Sequence, residues 1–286
     1  SISQGYRKRN IMLFNKVAII GVGLIGGSLA LDIKKRGLAR KIIGVSRHQK
    51  TILLAKKNKV IDTGSCGLNI IKDADLLIFA TPVSVTLKLA PRVCRIIKPD
   101  CIVTDVGSTK KEIVSKLEKI FPRFVGAHPL AGSEKQGIQY AAAGIFKESI
   151  CILTPTPKTE ARAAKKVQML WVKLGSTVIY LSPAAHDEAL SFVSHLPHLA
   201  AFATINSMPV KFLRFASTGL KDTTRIAASD SKIWADIFLS NRKNMLVAIS
   251  ALEGNLAGIK SAINKKDKKL LIKILKEAKE KRDILG

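Results

Sequence analysis

The stretch Gly21-Val-Gly-Leu-Ile-Gly26 follows directly on Lys16-Val-Ala-Ile-Ile20, a short apolar run rich in β-branched residues. Such a run suits a strand buried in a parallel sheet. Beyond the glycines, Ser28-Leu-Ala-Leu31 and Ile33 continue at helical spacing, and Gly37 is a plausible stop. Strand, glycine turn and helix in that order describe a dinucleotide-phosphate turn. Gly21 makes the bend, Gly23 lets backbone approach a pyrophosphate, and Gly26 lets helix pack on strand, with Leu24 and Ile25 completing the turn. The helix start adds amide donors and the positive end of its dipole. The hexapeptide alone is weak evidence, but a second strand, Lys41-Ile-Ile-Gly-Val45, follows it and makes the signal strong.

The end of that second strand announces the cofactor. An acidic residue there would accept hydrogen bonds from the ribose hydroxyls of NAD. This chain has Ser46-Arg47-His48 instead. A hydroxyl beside a guanidinium suits a 2′-phosphate, so the cofactor is NAD or NADP, with NADP favoured. Further strands are predicted at Leu76–Ala80, ending in Thr81-Pro82, and at Cys101–Thr104, ending in Asp105-Val-Gly-Ser108. Open α/β sheets bind ligands beyond the carboxyl ends of their strands. Thr81 and Pro82 therefore join the cofactor-contact set, and Ser108 shares that rim. Phe124-Val-Gly-Ala127 reads as another strand, delivering His128 and Glu134 to the same rim. Ile150–Thr154 and Thr177–Leu181 are expected to complete the sheet, with a helix over Lys158–Leu174 between them.

From Pro183 the texture changes to alanine- and leucine-rich stretches, Ala185–Ile205, Ser231–Ala262 and Lys266–Leu285. On the last, Leu270, Leu271, Ile274, Leu275 and Ala278 mark one apolar face among lysines. The expected fold is an α/β Rossmann domain with a mostly parallel sheet over 16–182, then an all-helical domain over 183–286. A basic extension covers 1–15. Helical domains of this kind often pair two chains, which makes a homodimer the expected assembly.

The net charge is +27, with lysines spread over the whole length. There is no finger, no RNP-like strand and no basic-aromatic stacking pattern, so a nucleic-acid role is not favoured. The field would draw anionic small molecules. The longest uncharged apolar run, Val17–Leu31, has 15 residues, short of the ~18–20 that cross a bilayer. No secretory signal precedes it, and the expected location is cytoplasmic. The four cysteines form no CxxC pair, and free buried thiols are expected, with no metal site.

Four further segments carry a family likeness: Asp105-Val-Gly-Ser-Thr-Lys110, His128-Pro-Leu-Ala-Gly132 with Glu134, Ser194-His-Leu-Pro-His198, and Lys221-Asp-Thr-Thr-Arg225. With the glycine turn they resemble the prephenate dehydrogenases, whose features arogenate dehydrogenases share. The likeness runs from about Lys16 to about Asn255. It implies oxidative decarboxylation of prephenate to 4-hydroxyphenylpyruvate in tyrosine biosynthesis, with arogenate as the alternative substrate. By motif position His128 resembles the base that takes the ring-hydroxyl proton, and Ser108 its second hydrogen-bonding partner. Arg225 resembles the anchor for the substrate carboxylate, although pairing with Asp222 is an alternative. His198 resembles a substrate-lining residue and His195 its structural support. Glu134 is placed between substrate binding, gating through an ion pair and a purely structural role. Trp234 is expected near the pocket wall, and His186, beside Asp187, reads as no more than a helix-start residue.

The likeness has departures. The acidic residue that many relatives carry after the second strand is replaced here. No chorismate mutase segment is expected ahead of the Rossmann unit and no regulatory ACT module after Gly286, which leaves direct competition by tyrosine at the active site as an open alternative. The competing readings are a dehydrogenase of small β-hydroxy acids, which would rely on a lysine in the helical half, a basic nucleic-acid binder on a Rossmann scaffold, and an inactive NADP sensor.

Overall fold

A computed structural model describes residues 12–286; the basic stretch at 6–9 lies outside them. Six parallel strands, β1 (Phe14–Ile20), β2 (Ala39–Val45), β3 (Thr63–Ser65), β4 (Leu76–Phe79), β5 (Ile102–Asp105) and β6 (Phe124–Val125), lie in the order β3-β2-β1-β4-β5-β6. Between them run α1 (Leu24–Lys35), α2 (Gln49–Lys57), α3 (Val83–Cys94) and α4 (Lys111–Leu117). The apolar run of β1 has no polar alternation because both of its faces are covered. Val17 and Ile19 pack with Leu29 and Ile33 of α1. Ala18 and Ile20 turn the other way and join Leu77, Phe79, Val83 and Val93. Strand order reverses between β1 and β4, which opens the ligand crevice above their carboxyl ends.

The expected single sheet is in fact two. The run from Phe124 to Pro129 changes partner at Gly126. Its first half is β6, parallel to β5, and its second is β7 (Ala127–Pro129), antiparallel to β8 (Ile150–Leu153). After α5 (Ala161–Leu174), β9 (Thr177–Tyr180) adds in parallel to β8, giving a separate sheet β7-β8-β9. A side chain at Gly126 would collide with Thr154 and Val114, so only glycine allows the switch. The effect is that β7 leaves the main sheet and brings His128 to His186 of the helical half.

From Pro183 every described element is helical: α6 (Pro183–Leu190), a π-turn over Ser191–His195, α7 (Leu196–Asn206), α8 (Thr218–Thr224), α9 (Ser231–Ser240), α10 (Arg242–Asn264) and α11 (Lys268–Asp283). The stretch over Ser231–Ala262, expected to be helical, is two helices that meet at Asn241, whose side chain is buried and hydrogen-bonded. Helix α10 is long and apolar enough to cross a membrane by length and composition alone, and little of it is buried. Leu246, Val247, Leu256 and Ile263 are exposed along it. On α11 the expected apolar stripe is present, yet no residue of that helix is buried. The four cysteines are free, with Cys101 and Cys151 buried, Cys94 half-buried and Cys66 exposed, contrary to the expectation for Cys66.

Candidate active site

The glycine turn shows what each of its positions must accommodate. Gly21 has φ +101°, and a Cβ there would strike the Ala80 carbonyl at the end of β4. At Gly26 a Cβ would strike the Gly21 carbonyl, with Ile19 and Ala80 close behind. Among the described residues, nothing beyond its chain neighbours lies within 4 Å of a Cβ built on Gly23. That space is open to a ligand, and the start of α1 faces it with no side-chain cap and no acidic residue in its first turn. A pyrophosphate fits those conditions. Beside the turn, Thr81 Oγ1 is fixed by Thr86 Oγ1 at 2.8 Å, and Pro82 opens α3. Beyond β2, Ser46 Oγ accepts from the His48 amide, and the exposed Arg47 donates from Nε to His48 Nε2 at 2.8 Å. No carboxylate stands at that strand end.

Strand β7 carries His128 between two domains. Its Nδ1 lies 2.8 Å from Nε2 of His186 on α6, and Nδ1 of His186 lies 2.8 Å from Asp187 Oδ1. Both Asp187 oxygens accept from the amides that open α4, Lys110 N at 2.6 Å and Lys111 N at 2.9 Å. Proton positions follow from this chain. Asp187 can only accept, so His186 donates from Nδ1 and leaves Nε2 bare. His186 Nε2 must then accept from His128 Nδ1–H. The lone pair of His128 is thereby placed on Nε2, at the edge of an imidazole that keeps 9% of its surface exposed while His186 has none. Such a group is a fixed, neutral proton acceptor. His186, expected to be structural only, is the link that sets this, and Asp187 is the second residue the sequence reasoning missed.

The same rim is braced from below. The buried Lys110 ammonium pairs with Asp105 and donates to the Ala127 carbonyl at 2.8 Å. Asp105 in turn accepts from Gly107 N at 2.8 Å and Ala127 N at 3.2 Å. These bonds tie the turn bearing half-buried Ser108 to the strand bearing His128.

On the helical side, His198 stacks on Trp234 with centroids 3.6 Å apart and donates from Nδ1 to Ser194 O at 3.0 Å, so its Nε2 is also free. Burial holds His198 below the usual histidine range, the hydrogen bond to Ser194 opposes it, and the nearby Arg225 charge adds a smaller push in the direction of burial. The guanidinium pairs with Glu134 Oε2 at 3.2 Å and not with Asp222. Glu134 belongs to the loop after β7, and a Cβ on Gly132 of that loop would meet Ile25 of the glycine turn at 3.7 Å. The loop thus joins turn, base and helical domain around one cleft.

Burial is the main cause that pushes His128 well below the usual histidine range, helped by His186, Lys110 and His195. It also lowers His186, against the pull of Asp187, and lowers His195 to about 4. The folded chain therefore holds three imidazoles neutral that the unfolded chain protonates below pH ~6.5. Between those limits the unfolded state binds more protons, so stability is full above pH ~6.5 and is lost as pH falls. His195 alone accounts for about 3 kcal/mol by pH 4. Thermal melts should hold steady from pH 8 to 7 and decline from about pH 6.5 downward. A melting temperature unchanged at pH 5 would contradict the neutral assignment.

A dinucleotide-type α/β domain with a fixed imidazole at its rim, closed by a helical domain that presents a cation, defines a nicotinamide-dependent dehydrogenase. The family model for the prephenate dehydrogenase nucleotide-binding domain matches residues 29–180, and that for the prephenate dehydrogenase dimerization domain matches 182–277. The chain belongs to the prephenate dehydrogenase family. A prephenate dehydrogenase of Bacillus subtilis is 34% identical, covering 93% of this chain and 75% of the relative. The crystal structure of prephenate dehydrogenase from A. aeolicus with hydroxyphenyl propionate and NAD+ is 36% identical with a TM-score of 0.90, covering 95% of this chain and 98% of that one. Synechocystis arogenate dehydrogenase is 28% identical with a TM-score of 0.80, covering 95% and 100%.

Proposed function

We propose that the chain catalyses the oxidative decarboxylation of prephenate to 4-hydroxyphenylpyruvate. The observation that carries this is the free Nε2 of His128, fixed by His186 and Asp187 at the rim between the glycine turn and Arg225. Gly21, Gly23, Leu24, Ile25 and Gly26 would hold the cofactor pyrophosphate, Ser46 and Arg47 its ribose, and Thr81 and Pro82 its nicotinamide end. When bound, the nicotinamide supplies the acceptor for the hydride that leaves C4 of the substrate ring.

The chain's own groups do the remainder. His128 Nε2 takes the proton of the C4 hydroxyl as its C–O bond gains carbonyl character, and Ser108 hydrogen-bonds the same oxygen. The bond from C1 to its carboxylate breaks, carbon dioxide leaves, the electron pair stays in the ring, which becomes aromatic, and His128 returns its proton to the ring oxygen to give the phenol. Arg225 orients a substrate carboxylate with a planar donor pair. That role requires Arg225 to exchange its Glu134 partner for the substrate carboxylate. His198, braced by Trp234, lines the side-chain end. The exposed apolar faces of α10 and α11 support a homodimer, in keeping with the dimerization-domain model over 182–277. Free thiols suit a cytoplasmic enzyme.

The direct test is absorbance of the reduced nicotinamide with prephenate or arogenate crossed with NAD or NADP. Turnover of prephenate carries the reading, turnover of arogenate alone transfers it to the sister reaction, and turnover of neither rejects it. Arg47→Ala should weaken NADP binding about 10- to 100-fold, the loss of a charge-assisted contact, and leave NAD nearly unchanged. Equal effects on both cofactors would remove the 2′-phosphate contact.

A further inference from the structure

His195 ends the π-turn that interrupts the helical run between α6 and α7. Such turns reset side-chain direction and recur at functional sites. Here the turn places a fully buried imidazole against the catalytic rim, edge-on to Trp234 with centroids 6.2 Å apart. Asn241 decides its tautomer. The Asn241 amide nitrogen donates to the Asp187 carbonyl at 2.7 Å and faces His195 Nδ1 at 3.3 Å, while its oxygen accepts from Asn244 at 2.8 Å. A nitrogen that donates leaves His195 Nδ1 to accept, so the ring proton sits on Nε2. That buried N–H has no acceptor in hydrogen-bonding geometry.

The turn opposite explains what the donor awaits. Helical-half groups already hold three consecutive residues of it. Ser240 Oγ holds Thr109 Oγ1 at 2.9 Å, and Asp187 holds the amides of Lys110 and Lys111. Ser108 comes next in that series. Its backbone lies against the His195 ring and favours the protonated form, yet His195 Nε2 is buried without a hydrogen-bond partner. A small approach of the two halves would complete the bond. Resting on the placement of Ser108 at the reacting hydroxyl, we propose that His195 is a positioning residue whose Nε2–H closes onto the Ser108 carbonyl when the domains close on substrate, holding Ser108 in register with His128.

The test compares wild type, His195→Leu and His195→Gln by steady-state kinetics, thermal melting and ¹⁵N-imidazole NMR. Leucine removes the donor, and glutamine returns an N–H at similar reach. The leucine variant should lose about 100-fold in kcat with little change in KM, the cost of a misplaced catalytic group, and glutamine should recover most of it. The wild-type spectrum should contain an Nε2–H signal, absent from both variants, that moves downfield when 4-hydroxyphenylpropionate is added with NAD+. Wild-type kcat in the leucine variant overturns the proposal. So do equal losses in both variants that follow melting temperature alone, a proton on Nδ1, or an Nε2–H signal that ligand leaves unmoved. A wild type that turns over neither substrate rejects the dehydrogenase reading instead, and the NMR outcomes still decide the His195 contact.

Discussion

His128→Asn is expected to lower kcat by about three orders of magnitude, within the range for removing a positioned general base, while cofactor affinity stays near wild type. Asparagine is small enough for the site, and its amide can still donate to His186 Nε2, so the buried chain from His186 to Asp187 loses no partner. What disappears is the lone pair directed at the cleft. The cofactor contacts proposed for the glycine turn share no hydrogen bond with His128. The wild-type pH profile should carry the same signature. Burial and three neighbouring cationic or cation-forming groups hold His128 well below 6.5, so the acid limb of kcat/KM should lie below that value. Both measurements use the nicotinamide absorbance assay, with cofactor affinity from fluorescence titration. A variant within tenfold of wild-type kcat would remove His128 from the base role.

The parts of this molecule that sequence exposes are those where local chemistry and tertiary role coincide. Lys16–Ile20 reads as a parallel strand because both faces of β1 are buried, and Gly21 and Gly26 stand where any side chain would strike Ala80 or the turn itself. Motif position led to His128, Ser108, Arg225, His198 and Glu134, and the structure bonds His128 to His186, pairs Arg225 with Glu134 and stacks His198 on Trp234. Contacts between distant segments leave no such trace. The run through Phe124–Pro129 looks like one strand, because strand propensity does not record which neighbour is paired on either side of Gly126. His186 lies 58 residues from His128 and obeys no periodicity that would announce it. A histidine beside an aspartate at a helix start is the only local signal, and it has meaning only once the amides of α4 are seen to occupy the carboxylate. Asn241 likewise divides two helices for a reason found on α6 and the π-turn. The apolar stripe of α11 was legible, but its exposure in a single chain was not, since a face meant for a partner and one meant for the core have the same pattern.

Asp187→Asn should cost about 10³-fold in kcat with only a moderate loss of stability. Aspartate here receives three donors: the amides of Lys110 and Lys111 and the Nδ1–H of His186. Asparagine offers one oxygen and one NH2, so one orientation or the other sets a donor against a donor. If the amide nitrogen turns toward His186 it also faces Lys110 N, which loses its acceptor as Lys111 N does in the other orientation, and the His186 ring must accept at Nδ1 and carry its proton on Nε2. His128 Nδ1 then has to accept, its own proton moves to Nε2, and the base presents a hydrogen where it needs a lone pair. The corresponding change in a Ser-His-Asp triad, where an asparagine also selects the wrong tautomer, costs about 10⁴. If the nitrogen instead turns toward Lys111 N, the tautomers survive, but an amide at the start of α4 is left unpaired, at about 1–3 kcal/mol. The two orientations therefore separate by measurement. Loss of kcat at a temperature where the variant is fully folded, with KM for prephenate little changed, supports tautomer control. A lowered melting temperature with wild-type kcat would show that Asp187 serves α4 alone and that another contact must fix the His128 proton.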